Sequence, residues 1–265
     1  MKLRKTKKFI IIGVAGFIIL ASVGVVGALN GWYGGGASIP SDTMTRGLVG
    51  YWGMDEGRGT TTADISGNNN TGVFATAASS PSWARGKVNG GLSFDGVNDY
   101  ASMGSASSLN FTSENFTIEA WIKPSSIGTE PHIATRGLYA VDGWRMAIEN
   151  SKLYLDTAQL GQTQRTRASV ALSVGVWTHV VAVRNGSNVN LYYNTILQGE
   201  EQSDAHINPA SSARTLKIGI YDDLAYGPFN GLIDDVRIYN RALTAAEVRY
   251  HYNRGGPVAQ WKFDE

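Results

Sequence analysis

The sequence predicts an all-β body, a sandwich or barrel of antiparallel strands, preceded by an N-terminal hydrophobic membrane helix. Three observations carry that reading. Apolar and polar residues alternate with a period of two over several short runs, the pattern of strands with one buried face. Turn pairs such as Asp95-Gly96, Asn150-Ser151 and Asn185-Gly186 punctuate those runs. The 265 residues hold 32 glycines but only 7 prolines, which suits many short strands joined by tight turns.

The chain opens on Lys2, Arg4, Lys5, Lys7 and Lys8 with no acid among them, and residues 9–29 then carry no charge. A membrane span needs about 20 apolar residues, whereas the apolar part of a signal peptide has roughly 7–15. Residues 1–30 therefore read as a signal anchor. The small residues Val26-Gly27-Ala28 support the other reading, a cleaved signal peptide. Both readings put the body outside the cytoplasm, anchored at the cell surface or secreted. Residues 31–46, "GWYGGGASIPSDTMTR", read as a flexible spacer. Without the five leading cations the chain has 18 basic and 22 acidic residues, a net charge of −4. Nucleic-acid binding requires a basic face, so that partner is excluded. The absence of cysteine excludes disulfides, thiol nucleophiles and cysteine zinc sites.

The strands follow in order. "GLSFDGVNDYASM" is a strand, an Asp-Gly turn and a strand. "FTIEAWIKP" alternates, with Phe116, Ile118, Ala120 and Ile122 on one face and Thr117, Glu119 and Lys123 on the other. "WRMAIEN" and "KLYLD" pair across Asn150-Ser151, and "WTHVVAVRNGSNVNLYYN" folds back at Asn185-Gly186. "TLKIGI" and "FNGLIDDVRIYN" complete the set. The one helix begins at a capping box, Thr244-Ala245-Ala246-Glu247, and ends near Tyr252. The closing "GPVAQWKFDE" repeats the opening "GLVGYWGMDE" at Gly, Val, Trp, Asp and Glu, an offset of 209 residues. Residues 254–265 thus read as the start of a second, truncated repeat.

Five motifs in order, "GLVGYWGMDEGRGTTTADISGNNNTGVF", "GLSFDGVNDYASM", "NFTIEAWIKP", "GVWTHVVAVRNGSNVNLYYN" and "FNGLIDDVRIYNRALTAAEV", resemble the laminin-G-like jelly-roll modules of the concanavalin A-like lectin/glucanase superfamily. The resemblance spans residues 47–253. It implies a two-sheet antiparallel jelly-roll sandwich with its first and last strands adjacent, here in a tandem-repeat surface protein. One departure is Thr195, where the family often has glycine after the strand ending in Asn194.

The resemblance also implies a structural calcium ion near the first-to-last-strand junction, with Asp234 as a ligand and Asp55 and Asp64 beside it. Asn69, in the glycine-bearing loop after Asp64, adds a fourth oxygen donor of the kind calcium prefers. Asx-turn chemistry accounts for the same residues without a metal. Tyr139, Trp144, Tyr221 and Tyr226 lie in or beside predicted loops, where aromatic rings can stack on sugars; core packing is the competing reading. The Glu-x-Asp-x-Glu strand of the superfamily's catalytic branch is absent, and Glu119 is a lone acid on its strand. His179 reads as a packed core histidine, and Asp95 to Asp99 as a plain hairpin turn. The sum is a non-catalytic extracellular binding module, with a glycan or a surface protein as partner and the membrane reached through the N-terminal helix. The alternatives are a structural spacer repeat and an accessory domain of a larger secreted carbohydrate-active enzyme.

Overall fold

The computed structural model describes residues 44–113, 115–222 and 226–254. The predicted membrane helix, nearly all of the spacer and all but the first residue of the truncated repeat lie outside them. Among the described residues no helix is long and apolar enough to cross a membrane.

Two antiparallel sheets pack face to face. The first contains β1 (Leu48–Trp52), β4 (Ser82–Arg85), β5 (Gly90–Asp95), β7 (Asn115–Pro124), β12 (Thr178–Asn185), β13 (Asn188–Tyr193), β14 (Ile196–Leu197) and β17 (Asn230–Tyr239). Its order is β14-β13-β12-β7-β17-β5-β4, with β1 also paired to β17. The second contains β2 (Thr61–Thr62), β3 (Gly72–Phe74), β6 (Ala101–Ser102), β8 (His132–Arg136), β9 (Trp144–Glu149), β10 (Lys152–Gln159), β11 (Gln162–Ala168), β15 (Glu200–Ser203) and β16 (Lys217–Ile218). Its order is β15-β11-β10-β9-β8-β16-β6-β3-β2.

The core forms where the inward positions of the two sheets meet. Phe116, Ile118, Ala120 and Ile122 of β7 supply it from one side, as their alternation predicts. Met146 and Ile148 of β9 and Leu153 and Leu155 of β10 supply it from the other. The expected adjacency of first and last strands holds, with Trp52 opposite Val236 and Tyr51 opposite Arg237. The first half of β17 lies between β5 and β7, and its second half between β1 and β7. The hand-over is a bulge at Asp235, whose φ is 54°. Such a left-handed residue lets a strand bend and change neighbours.

The other face of β7 is not open to water as strict alternation would suggest. It is covered by α1 (Ala245–Arg254). The capping box forms as predicted: the Glu247 N–H donates to Thr244 Oγ1 at 3.2 Å, and the Thr244 N–H donates to Glu247 at 2.8 Å. Leu243 and Val248 pack on Val181, Val183 and Tyr239. Under the helix Glu119 is wholly buried, 3.1 Å from His251 Nδ1 and 3.4 Å from Arg237. Burial raises the Glu119 carboxyl, but His251, His179 and Arg237 outweigh it and hold the group down at about 2. His179 is fully buried beside Trp121, packed as a core histidine but with neither ring nitrogen making the hydrogen bond expected of one, and burial lowers its ring to about 4.

Candidate functional site

The outward face of the second sheet carries the most chemistry. On β9 the inward residues are apolar, so strand parity turns Arg145 and Glu149 outward. The same parity presents Tyr154 and Asp156 on β10 and Arg165 and Arg167 on β11. The register puts Arg145 opposite Asp156 and Asp156 opposite Arg165, a row across three strands.

That row is tightly bonded. Asp156 is fully buried and accepts from the Arg145 guanidinium and from Arg165 Nε at 2.8 Å and Nη2 at 2.9 Å. Arg165 also reaches Glu149 at 2.7 Å and Glu130 at 3.1 Å. Arg167 pairs with Glu149, and with Glu201 at 3.2 Å. Burial opposes the charge of Arg165, yet the hydrogen bond and field of Asp156, with Tyr154 and Glu130, hold its guanidinium above its ordinary range. The Tyr154 hydroxyl donates to Glu130 at 2.5 Å, and the Arg165 guanidinium lies 3.8 Å from the centre of the Tyr154 ring. Such pairing locks long side chains into one geometry.

Aromatic rings rise around this floor. Tyr139 is 59% exposed and Tyr226 40%, while Tyr221 is 8% exposed. The Tyr139 N–H donates to the Tyr221 hydroxyl at 2.7 Å, which ties the loop after β8 to the segment after β16. Arg145 lies 5.1 Å from the Tyr139 ring centre and 5.4 Å from that of Tyr221. Tyr226 meets Tyr221 edge-on at 6.2 Å. Gly227 sets the position of Tyr226. Its φ is +63°, and a Cβ there would lie 2.4 Å from both the Glu130 carbonyl oxygen and the His132 ring. Its own carbonyl accepts the His132 N–H at 2.8 Å. Rings and floor together enclose an open cavity of about 520 Å³.

Three of the four predicted ligand-binding aromatics, Tyr139, Tyr221 and Tyr226, therefore meet in one cavity. Trp144 does not: it is 1% exposed, on the core face of β9, and packs beside Phe111 and Phe116. Its neighbour Arg145 faces the cavity in its place. The charged floor was not anticipated from sequence. Its signal was present as charges of one strand parity, Arg145 and Glu149 in "WRMAIE" and Arg165 and Arg167 in "QTQRTRA".

The predicted calcium ligands divide into separate places. Asp234 is fully buried and its Oδ2 accepts the N–H groups of Lys87 at 2.8 Å and Val88 at 2.9 Å. Its Oδ1 is buried without a hydrogen-bond partner. Burial first, then the charges of Asp235 and Asp55, outweigh those bonds and raise the Asp234 carboxyl to about 7. Exposed Asp55 accepts the Gly90 N–H at 2.7 Å, at the far end of the same loop. Asp64 spends both oxygens on main-chain N–H groups, those of Tyr51 at 3.0 Å, Ser66 at 2.9 Å and Asn70 at 2.9 Å. Asn69 is exposed with φ 58°; its neighbour Asn70 is the buried one, donating to the Val49 carbonyl at 2.9 Å. Among the described residues no three histidines or acids are grouped to hold a metal ion by themselves.

A family model described as Laminin_G_3, Concanavalin A-like lectin/glucanases superfamily, matches residues 94–249. The binding domain of a Paraclostridial mosquitocidal protein superposes with a TM-score of 0.63 at 18% identity, over 78% of this chain and 52% of that one. This chain thus spans about half the length of that domain. Domain 4 of an extracellular arabinanase from Geobacillus stearothermophilus, in complex with arabinotriose, gives 0.59 at 18% identity over 77% of this chain and 97% of that one. The botulinum neurotoxin serotype D ligand binding domain, in complex with N-acetylneuraminic acid, gives 0.63 at 16% identity over 81% and 53%. At these identities the likeness is one of fold. No protein of curated function matches the sequence.

Proposed function

Because the chain belongs to the concanavalin A-like lectin/glucanases superfamily, we propose that it is a non-catalytic carbohydrate-binding module acting in recognition or adhesion at the cell surface. The observation that carries this reading is the cavity of Tyr139, Tyr221 and Tyr226 over the locked arginine–carboxylate floor. Exposed rings offer faces to the C–H groups of a sugar, and the fixed floor offers paired donors and acceptors to its hydroxyls. Similar solved domains carry arabinotriose and N-acetylneuraminic acid, which supports a glycan as ligand. A glycosidase needs two free carboxyl groups at a set separation. Here Glu130, Glu149 and Asp156 are each tied to at least one guanidinium, which favours binding over hydrolysis.

The basic, then apolar, N-terminus supports a membrane anchor or export signal, and the recurring Val-x-x-Trp-x-x-Asp-Glu supports a repeated module. That recurrence equally favours a second reading, a spacer repeat of a surface protein with no ligand of its own. Calcium belongs to the proposal as a structural ion. The unpartnered Oδ1 of Asp234 and the carboxylate of Asp55 fit it, while Asp64 is already occupied. Such an ion would supply charge neutralisation at a buried carboxylate and no reaction chemistry.

The deciding experiment is a glycan array followed by calorimetric titration of the full chain. Tyr226→Ala and Tyr139→Ala should each weaken the best ligand by about tenfold or more, roughly 1.4 kcal/mol, without lowering the melting temperature. A broad array with no binder refutes the module and leaves the spacer reading.

A further inference from the structure

The main cavity does not end at Tyr226. A second one of about 410 Å³ adjoins it and shares Glu130, Glu149 and Tyr226 with it. Its walls come from two loops: Ile127, Gly128 and Thr129 between β7 and β8, and Asn150 and Ser151 in the β9–β10 turn. Glu130 stands at the junction in a left-handed conformation, φ 54°, with its carboxylate held by Tyr154 and Arg165. Nothing lies within 4 Å of a Cβ built on Gly128, so this wall is open above its backbone.

The charge of the floor restricts what fits. Arg145 is engaged by Asp156, Arg165 by Asp156, Glu149 and Glu130, and Arg167 by Glu149 and Glu201. Lys152 shares Glu201 at 2.8 Å, so four cations meet four acids and the floor has no surplus positive charge. A sugar carboxylate is bound most strongly by a guanidinium or ammonium to spare. Displacing Asp156, the fully buried acid at the centre of the floor, would leave it unpaired, at a cost no single new contact offsets. Hydroxyl groups, by contrast, bond to the edges of existing ion pairs without breaking them.

We infer that the two cavities are adjoining subsites for an uncharged oligosaccharide chain, with Tyr226 at the boundary between consecutive sugar units, rather than a pocket for one acidic terminal sugar. The inference rests on the carbohydrate-binding reading above and specifies its ligand class.

Calorimetric titration of the full chain tests it, using neutral arabinose, xylose and glucose oligomers of one to four units beside sialyllactose. For the preferred neutral series, affinity should rise about tenfold or more from one unit to three, and sialyllactose should bind no better than the neutral monosaccharide. Thr129→Trp and, independently, Gly128→Trp place a ring in the second cavity from exposed positions. Each should remove the gain with chain length and leave the monosaccharide constant within about twofold. Affinity independent of length, or a gain that survives both tryptophans, overturns the second subsite while the carbohydrate reading stands. Sialyllactose preferred over every neutral sugar overturns the uncharged ligand class. Binding of no sugar in either set removes the carbohydrate reading and this inference together.

Discussion

Asp156→Ala leaves two arginines facing each other over a missing anion. Asp156 is fully buried, the Arg145 side chain is 4% exposed and that of Arg165 12%. Removing one member of a buried ion network costs about 3–5 kcal/mol, because the remaining charges stay desolvated. Arg165 keeps Glu149 and Glu130, which favours the lower end of that range; Arg145 has no other ion-pair partner among the described residues. In a domain of this size each kcal/mol moves the melting temperature by roughly 2–4 °C. The expected fall is therefore about 6–20 °C, read by scanning calorimetry at neutral pH and moderate salt. Asp156→Asn keeps the shape and one acceptor and should fall about half as far. The triple variant Arg145→Met, Asp156→Leu, Arg165→Met removes the charges together and should recover most of the stability, since apolar replacement of buried ion pairs is often neutral. Sugar binding should stay lost in that variant. An Asp156→Ala protein that melts within about 2 °C of the parent refutes the account of the floor as one interlocked network.

Three further outcomes are expected. Burial lowers the rings of His179 and His206 to about 4, against about 6.5 in the unfolded chain. The unfolded state therefore takes up protons first, and stability complete above pH ~6.5 should drain away as pH falls toward 4, by on the order of 3 kcal/mol per histidine. Asp234, raised to about 7, works the other way and gains stability over the same range, so the test is made in Asp234→Asn, where urea midpoints unchanged between pH 7 and 4.5 contradict the histidine loss. Trp144→Ala should cost about 3–5 kcal/mol as a core cavity, whereas exposed Tyr139→Ala should leave stability unchanged; the reverse ranking would return Trp144 to the binding surface. Millimolar calcium should raise the melting temperature relative to chelator, and Asp234→Asn should abolish the rise. Equal melting in both conditions removes the metal from the proposal.

The parts of this fold that were legible share a physical cause. β7 and the β12–β13 hairpin each put apolar residues at every second position, and a turn pair marks the hairpin, so pattern and chemistry agree. β11 was not legible. Its sequence, "QTQRTRA", has almost no apolar residue, because its inner positions are served by Thr166 and Ala168 and its outer ones by the arginines of the floor. Parity alone would have placed Trp144: with Met146 and Ile148 inward, it must share their face. The charges on the hidden side of β7 could not be sorted from surface charges, because their cover is a helix more than a hundred residues away. Asp64 and Asn69 illustrate the opposite limit. Residues that suit calcium also suit turns, and three main-chain N–H groups had already claimed Asp64.

The position of β17 bears on how the molecule comes into being. It is an interior strand that organises both of its flanks, yet it is the last strand of the domain to be synthesised. β1 must wait for it: Trp52 finds its partner at Val236, across almost the whole domain. Closing so long a loop before any local contact rewards it makes folding slow. A growing chain cannot finish its first sheet until residue 239 is free, so an emerging N-terminal half has nothing complete to lock into.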